Sequence, residues 1–239
     1  MRSRVVAELV ALFAPPGCAA CRTPLEDARE AVCPDCRRSL PWLRGPRCER
    51  CGLPSPCAPC PAARAAFDTA WSPHAYAGPA RDLVAALKFG GALALADLMA
   101  AQITAAAPTG LLRSDSSEAA SAGPPGAVAV VPVPAHPKNV RVRGFDQAEV
   151  LAAAVSTRTG LPLDACLSRT GTARRQVGRS RTRRMSEPIA MEAREVAENV
   201  VLVDDVHTTG ATLEAAARAL KRAGATRVDA VTYARTLRH

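Results

Sequence analysis

The stretch Val200-Val201-Leu202-Val203-Asp204-Asp205-Val206-His207-Thr208-Thr209-Gly210-Ala211-Thr212 decides the fold. Four apolar residues in a row, without alternation, are the mark of a strand covered on both faces, as in a parallel sheet. The strand ends on two adjacent carboxylates, and a hydroxyl-rich loop containing Gly210 turns directly into a helix. A helix start offers unpaired N–H groups and a partial positive charge, which suit a phosphate monoester. Thr208, Thr209 and Thr212 add hydroxyl donors, and Gly210 permits close backbone approach. Carboxylates repel phosphate but suit sugar hydroxyls, or a magnesium ion held through water. A ligand with a phosphate at one end and a cis-diol at the other satisfies both halves, and a ribose 5-phosphate is such a ligand. The position also agrees with the rule that open α/β sheets bind ligands at the carboxyl ends of their strands. A helix merely capped after an acidic strand is the plainer reading, but it leaves the adjacency of Asp204-Asp205 to Thr208-Thr209-Gly210 without a reason.

Outward from this stretch the chain alternates. Ala127–Val133 reads as a buried strand, Phe145–Thr159 as a helix closed by Gly160, and Val200–Val203 as a second strand. Thr212–Ala223 is a helix closed by Gly224, and Arg227–Tyr233 is a third strand. Such alternation predicts an α/β domain with a mainly parallel sheet flanked by helices. Upstream, Phe67–Tyr76 reads as a strand, and Gly78-Pro79 opens an Ala/Leu-rich helical pattern that Gly90-Gly91 divides. Residues 107–126, with Ser114-Asp115-Ser116-Ser117 and Gly123-Pro124-Pro125-Gly126, read as a flexible insertion. Residues 169–184 carry Arg169, Arg174, Arg175, Arg179, Arg181, Arg183 and Arg184. Three readings fit them: a solvated flank, a cover for pyrophosphate, or a nucleic-acid contact.

Eight of the nine cysteines form four CxxC pairs before residue 61. Cys18-x2-Cys21 is followed after eleven residues by Cys33-x2-Cys36, and Cys48-x2-Cys51 after five by Cys57-x2-Cys60. Disulfides do not require that spacing, whereas two CxxC turns complete a tetrahedral four-thiolate zinc site. Eight thiolates fit two structural zinc ions in a double ribbon, with no coordination position left for substrate. Sequential pairing is the simplest arrangement; a crossed pairing, or one zinc with spare thiols, stays open. Cys166 stands alone and reads as a buried small hydrophobe.

The remaining composition narrows the function classes. The 239 residues suit one ordinary domain plus a small module, divided as 1–66 (an N-terminal helix and the cysteine ribbons) and 67–239. A 48% hydrophobic content excludes disorder of the whole chain, and 8 aromatics argue against single-strand binding dominated by base stacking. The net charge of +9 mildly favours a polyanionic partner. No apolar run is long enough to span a bilayer. Met1–Ala14 has the outline of a signal peptide, but Glu8 interrupts it and Pro15-Pro16-Gly17 makes a poor cleavage site. It reads as a short amphipathic helix, and the metal-type cysteines point to the cytoplasm. His207 is expected to be a passive loop residue, Lys88 to lie along its own helix with its ammonium in water or else to reach phosphate, and Trp42 and Trp71 to be core or module contacts.

The acidic pair and Thr-Thr-Gly-Ala-Thr loop resemble the phosphoribosyl pyrophosphate (PRPP) motif of type I phosphoribosyltransferases. Further segments, Val131-Pro132-Val133-Pro134, Arg141-x-Arg143-Gly144-Phe145-Asp146-Gln147-Ala148, Leu87-Lys88-Phe89-Gly90-Gly91, Gln176-x-Gly178 and Ser180-Arg181, together with the CxxC pairs, resemble the competence protein ComF family. That resemblance implies a type I phosphoribosyltransferase fold behind a double zinc ribbon. It implies catalytic contact of Asp204 and Asp205 with the ribose, a 5-phosphate loop of Val206, His207, Thr208, Thr209, Gly210, Ala211 and Thr212, and magnesium bound with PRPP. Pro134, Ala135, His136, Lys138 and Arg143 would lie near the pyrophosphate, and residues 170–185, with Gln176, Ser180 and Arg181, would form a mobile flap. Asp146, Arg179 and Glu187 depart from the family pattern, which has Asn, an apolar residue and Asn there. Two function classes follow from the resemblance. One is a magnesium-dependent PRPP-binding protein of phosphoribosyltransferase type, linked to DNA uptake in natural transformation. The other is a non-enzymatic factor that uses the fold as a scaffold for single-stranded DNA or a DNA-import helicase.

Overall fold

The structure is a computed structural model that describes residues 17–27, 29–89, 92–112, 128–170 and 189–237. The expected N-terminal helix and most of the arginine-rich stretch lie outside those residues. A short helix, α1 (Pro34–Arg38), belongs to the first cysteine ribbon. Next come β1 (Thr69–Trp71), β2 (His74–Ala75), α2 (Gly78–Phe89), α3 (Ala92–Ala106) and β3 (Val128–Pro132). They are followed by α4 (Pro137–Arg143), α5 (Gln147–Thr159), β4 (Leu167–Arg169) and β5 (Met191–Ala193). The chain closes with β6 (Asn199–His207), α6 (Ala211–Arg222) and β7 (Arg227–Arg235).

The main sheet runs β1-β7-β6-β3, with β2 also on β7, and every pairing in it is parallel. Alternate residues of β6 serve opposite faces, because side chains in a strand have period two. Val201 and Val203 join a core with Leu83, Met99, Ile103, Leu151 and Tyr233 from α2, α3, α5 and β7. Val200 and Leu202 join a second core with Leu213, Ala216 and Leu220 of α6. The helices present these faces through ordinary spacing: Ala148, Leu151, Ala152 and Val155 on α5, and Leu213, Ala216, Ala217 and Leu220 on α6, are buried. Each fully buried Leu contributes about 1.5–3 kcal/mol, so the stripes outweigh the weak propensities of the flanking threonines and serines.

The two ribbons attach to opposite faces. Cys18, Leu25, Val32, Cys36 and Leu40 belong to the first core, whereas Cys51, Leu53, Ala62 and Phe67 belong to the second. The second ribbon is pressed onto β1: a Cβ on Gly52 (φ +71°) would lie 2.4 Å from the Ala70 carbonyl oxygen. Arg50 fixes the connection by donating to the carbonyls of Ala62, Ala65 and Asp68.

Four expectations need correction. The strand expected over Phe67–Tyr76 is interrupted at Ser72-Pro73, although β1 and β2 keep one register on β7. Proline brings no N–H to a ladder; instead its carbonyl accepts from Leu43 N, and Trp42 bridges His74, stitching the first ribbon to the sheet. The strand after Val203 does not end at the carboxylates, because Val206 pairs with Ala234 and His207 with Arg235. Both residues are therefore strand, and the loop proper begins at Thr208. The insertion does not start at residue 107, since Leu112 is buried and Ala107 and Leu111 pack against the first core. Finally, Lys88 does not direct its charge to water but pairs with Asp205.

Candidate functional site

Parallel pairing of β3 with β6 brings the ends of both strands to one edge, with Pro132 opposite Val203. The chain beyond β3 and the carboxylates of β6 therefore face the same cavity, of about 340 Å³. Pro134, Ala135, His136, Asp204, Asp205, Val206, Thr208 and Thr212 line it. Two segments far apart in sequence, both expected to hold one ligand, thus meet in one space. Helix α6 starts at Gly210, which takes a left-handed φ of 81° and supplies no side-chain cap. Ala211 N donates only at 3.4 Å to Thr209 Oγ1, so the start of the helix can still receive an anion.

Asp146 is the N-cap of α5. One of its oxygens accepts from Ala148 N at 2.9 Å and the other from Ala135 N at 2.7 Å. Two acceptor oxygens on one side chain suit Asp at this position, since the NH2 group of an Asn would face one of the two backbone N–H donors with another donor. The loop at 134–136 is thereby tied to the start of α5. His136 caps α4, with Nδ1 accepting from Lys138 N at 3.2 Å. Lys138 does not line the cavity; Arg143 reaches it indirectly, donating at 2.7 Å to Gln147, which does.

Five further lining residues were missed or misweighed in the sequence: Tyr76, Lys88, Asn139, Gln147 and Arg169. Lys88 Nζ sits 2.8 Å from Oδ2 of the buried Asp205, off the hydrogen-bond angle, so that oxygen has an ion-pair partner but no donor. Burial and the neighbouring Asp205 carboxylate hold the Asp204 carboxyl well above the usual carboxylate range. Burial pulls the Arg169 guanidinium down, against the attraction of Asp204 and Asp146, and its Nε donates to the Pro134 carbonyl at 2.7 Å. Arg169, which lines the cavity, ends β4, and β4 pairs antiparallel with β5. Gln176, Ser180 and Arg181 themselves lie outside the described residues. The one signal for Lys88 and Arg169 was their place in the Leu-Lys-Phe-Gly-Gly segment and at the head of the arginine run.

His207, Thr209, Gly210 and Ala211 do not open to this cavity. They line an adjoining groove of about 930 Å³ between the loop and the second ribbon, together with Arg64, Arg81 and Arg235. Tyr76 and Thr208 line both spaces. His207 is buried, not solvent-facing as expected. Burial and the nearby Arg235 charge lower its pKa to about 4, and its ring meets Phe67 edge-on at 6.0 Å.

The cysteines gather as two groups, Cys18, Cys21, Cys33, Cys36 and Cys48, Cys51, Cys57, Cys60, each with its sulfurs within 4.8 Å of one another. Sequential pairing is thus the arrangement observed. Sulfurs held at about 2.3 Å from a tetrahedral zinc lie about 3.8 Å apart. Cys21 and Cys33 are 3.7 Å apart, Cys48 and Cys60 3.8 Å, and Cys51 and Cys57 3.6 Å. Both groups therefore fit zinc as they stand. Hydrogen bonding with Thr23 lowers the Cys21 thiol to about 6 and a backbone bond from Cys51 lowers Cys48 to about 7, while burial and the neighbouring thiols raise Cys36, and the neighbouring thiols and burial push Cys57 up to about 12. Cys166 is buried, as expected of a small hydrophobe.

Comparison with known proteins agrees with this geometry. Residues 9–66 match the family model for a double zinc ribbon domain, and residues 145–238 match that for a phosphoribosyl transferase domain. The chain is 30% identical over 235 residues to the DNA utilization protein YhgH of Salmonella typhi, covering 95% of this chain and 100% of that one. The YhgH protein of Escherichia coli K12 is 29% identical over 240 residues, with the same coverage. The competence protein ComFC of Bacillus subtilis is 28% identical over 208 residues, covering 82% of this chain and 80% of the relative. Among solved structures, the glutamine PRPP amidotransferase of Bacillus subtilis complexed with ADP and GMP aligns with a TM-score of 0.31 and 22% identity over 57% of this chain. This chain spans 25% of that one's length. No helix among the described residues is long and apolar enough to cross a membrane.

Proposed function

The chain belongs to the ComF family, with a type I phosphoribosyltransferase fold behind a double zinc ribbon, and from that premise we propose that it binds a ribose 5-phosphate ligand, PRPP in the first instance. The observation that carries this is the single cavity shared by Asp204, Asp205, Thr208 and Thr212 beside the uncapped start of α6. In this reading the monoester sits on Thr208–Thr212 and the ribose diol on Asp204 and Asp205. Pro134, Ala135 and His136 border the pyrophosphate, and Arg169 and Lys88 supply cations among the described lining residues. Lys138, Arg143, Gln176, Ser180 and Arg181 are assigned to the pyrophosphate loop and flap on the family pattern alone.

Magnesium fits the same edge. The Asp205 Oδ2 oxygen is buried without a donor, and carboxylate oxygens are the ligands that this ion takes alongside a bound phosphate. Bound there with pyrophosphate, it would neutralise the charge of the leaving group. The chemistry open to such a site is displacement of pyrophosphate at ribose C1 through an oxocarbenium-like state. The protein's part is to hold the diol, anchor the 5-phosphate and exclude water. We place the protein in the cytoplasm, in DNA uptake or processing, on the metal-type cysteines and the names of its relatives.

Calorimetric titration of the zinc-loaded protein with PRPP and magnesium tests the site. Micromolar binding that is lost in Asp204→Asn/Asp205→Asn, with cooperative melting retained in the double variant, is the expected result. Equal affinity in the two proteins rejects the assignment.

A second reading, a scaffold for single-stranded DNA or a helicase partner, draws on one separate observation. The groove beside the loop carries Arg64 and Arg81. Neutralising both should weaken single-strand binding and flatten its salt dependence by about one unit of slope for each phosphate that no longer meets a cation. An unchanged slope removes this groove from the DNA path.

A further inference from the structure

The buried groups under the phosphate loop have no part in the ligand contacts above. Arg235, the last residue of β7, is 4% exposed, and among the described residues no carboxylate pairs with it. A buried guanidinium is costly unless negative charge compensates it. Its Nη1 donates to the carbonyl oxygen of Cys51, inside the second ribbon's first CxxC turn, and its Nε has no partner. Cys51 is one of the four cysteines gathered in the second ribbon. Zinc held by four thiolates keeps a net negative charge, so metal bound there would supply the charge that compensates Arg235.

The same Nη1 lies 3.1 Å from His207 Nδ1. The opposite edge of that ring supports the loop, because a Cβ built on Gly210 would fall 2.9 Å from His207 Nε2. A parallel link runs one residue on: Thr236 N donates to the His207 carbonyl at 3.0 Å, and Thr236 Oγ1 to the Thr208 carbonyl at 3.2 Å. A continuous chain of contacts thus runs from Cys51 through Arg235 and His207 to Gly210. No comparable buried cation joins the first ribbon's cysteines to the loop among the described residues.

We propose that Arg235 and His207 are positioning residues that hold the phosphate loop in shape against the second zinc site, so that zinc at Cys48, Cys51, Cys57 and Cys60 and a phosphate monoester on the loop strengthen each other's binding. The inference rests on the phosphate-loop reading above. Linkage makes the coupling reciprocal, which separates it from a merely structural role: a staple would hold the fold without responding to the ligand.

The test is the rate at which a chromogenic chelator removes zinc from the full-length zinc-loaded protein, with and without saturating ribose 5-phosphate. Release from the second site should slow at least about fivefold with the ligand, the lower end of ordinary coupling, while release from the first site is unchanged. Cys33→Ser, which breaks the first site, assigns the two phases. In Arg235→Met the protection should vanish, and ribose 5-phosphate affinity should fall about tenfold in calorimetry. The wild-type comparison needs no substitution, so a variant that fails to fold leaves the test intact. Ribose 5-phosphate that binds the wild type but slows neither phase overturns the coupling alone. Absence of binding in calorimetry overturns the phosphate-loop reading and the coupling with it.

Discussion

Asp204 carries a cost that its ligand would repay. Its carboxyl is held above the ordinary range by burial and by Asp205, so the folded protein binds a proton there more readily than the unfolded chain does. That contribution to stability is complete below the unfolded value near 4 and is lost as pH rises through the folded one. Asparagine has no proton to lose. Asp204→Asn should therefore stabilise the ligand-free protein by about 1 kcal/mol at neutral pH, with a gap over wild type that widens from pH 5 to pH 8 in thermal melts. A gap that stays flat or narrows would mean that Asp204 is not under that pressure. The pair was legible because strand, carboxylates, hydroxyls and glycine are consecutive in sequence. Lys88 and Arg169 were harder to read, because their approach depends on the ends of α2 and β4 arriving at the same edge. His207 was misread for a related reason: its partner Arg235 lies 28 residues later and becomes visible only when β6 and β7 pair.

At the scale of elements, the two ribbons are variations on one turn. Cys18 N donates to Thr23 O and Arg22 N to Cys18 O; in the same way Cys48 N donates to Leu53 O and Gly52 N to Cys48 O. The residue after the first CxxC pair of each ribbon takes positive φ, 67° at Arg22 and 71° at Gly52. The surroundings of the equivalent positions differ. Gly52 faces the Ala70 carbonyl, so Gly52→Ala adds a backbone clash to the left-handed penalty and should cost at least about 2 kcal/mol in denaturant unfolding. Arg22→Gly removes that penalty and should be neutral to stabilising by up to about 1 kcal/mol. Equal effects would show that the ribbons are docked alike. Helix positions read well from the sequence, since apolar spacing alone gives α5 and α6 to within two residues of each end. The strand at 67–76 read less well, because nothing local to Ser72-Pro73 announces that Leu43 and Trp42 will approach it.

For the whole molecule, the boundary at residue 66 divides architecture more than folding. Leu25, Val32 and Leu40 share a core with α2, α3 and α5, and Leu53, Ala62 and Phe67 share one with α6. Removing residues 1–66 takes Leu25, Val32 and Leu40 from one core and Leu53 and Ala62 from the other, so a 67–239 fragment should lack a cooperative melting transition. A fragment that melts cooperatively would establish an independent domain. The full chain should carry about two zinc ions, and a ratio near one would leave one ribbon without its metal. The CxxC spacing foretold the zinc, and the alternation of strands and helices foretold the α/β class. Neither gave a sign that the metal sites would be built into the same cores as the sheet, because that depends on contacts between residues far apart in sequence.

The central claim is that one ribose 5-phosphate bridges the acidic pair and the start of α6. A crystal structure of the zinc-loaded protein with ribose 5-phosphate and magnesium tests it most directly. The account predicts the phosphate on the backbone N–H groups of the 208–212 loop and the ribose hydroxyls within hydrogen-bond distance of Asp204 and Asp205. Phosphate lodged between Arg64 and Arg81, with the carboxylates still facing Lys88 alone, would contradict it.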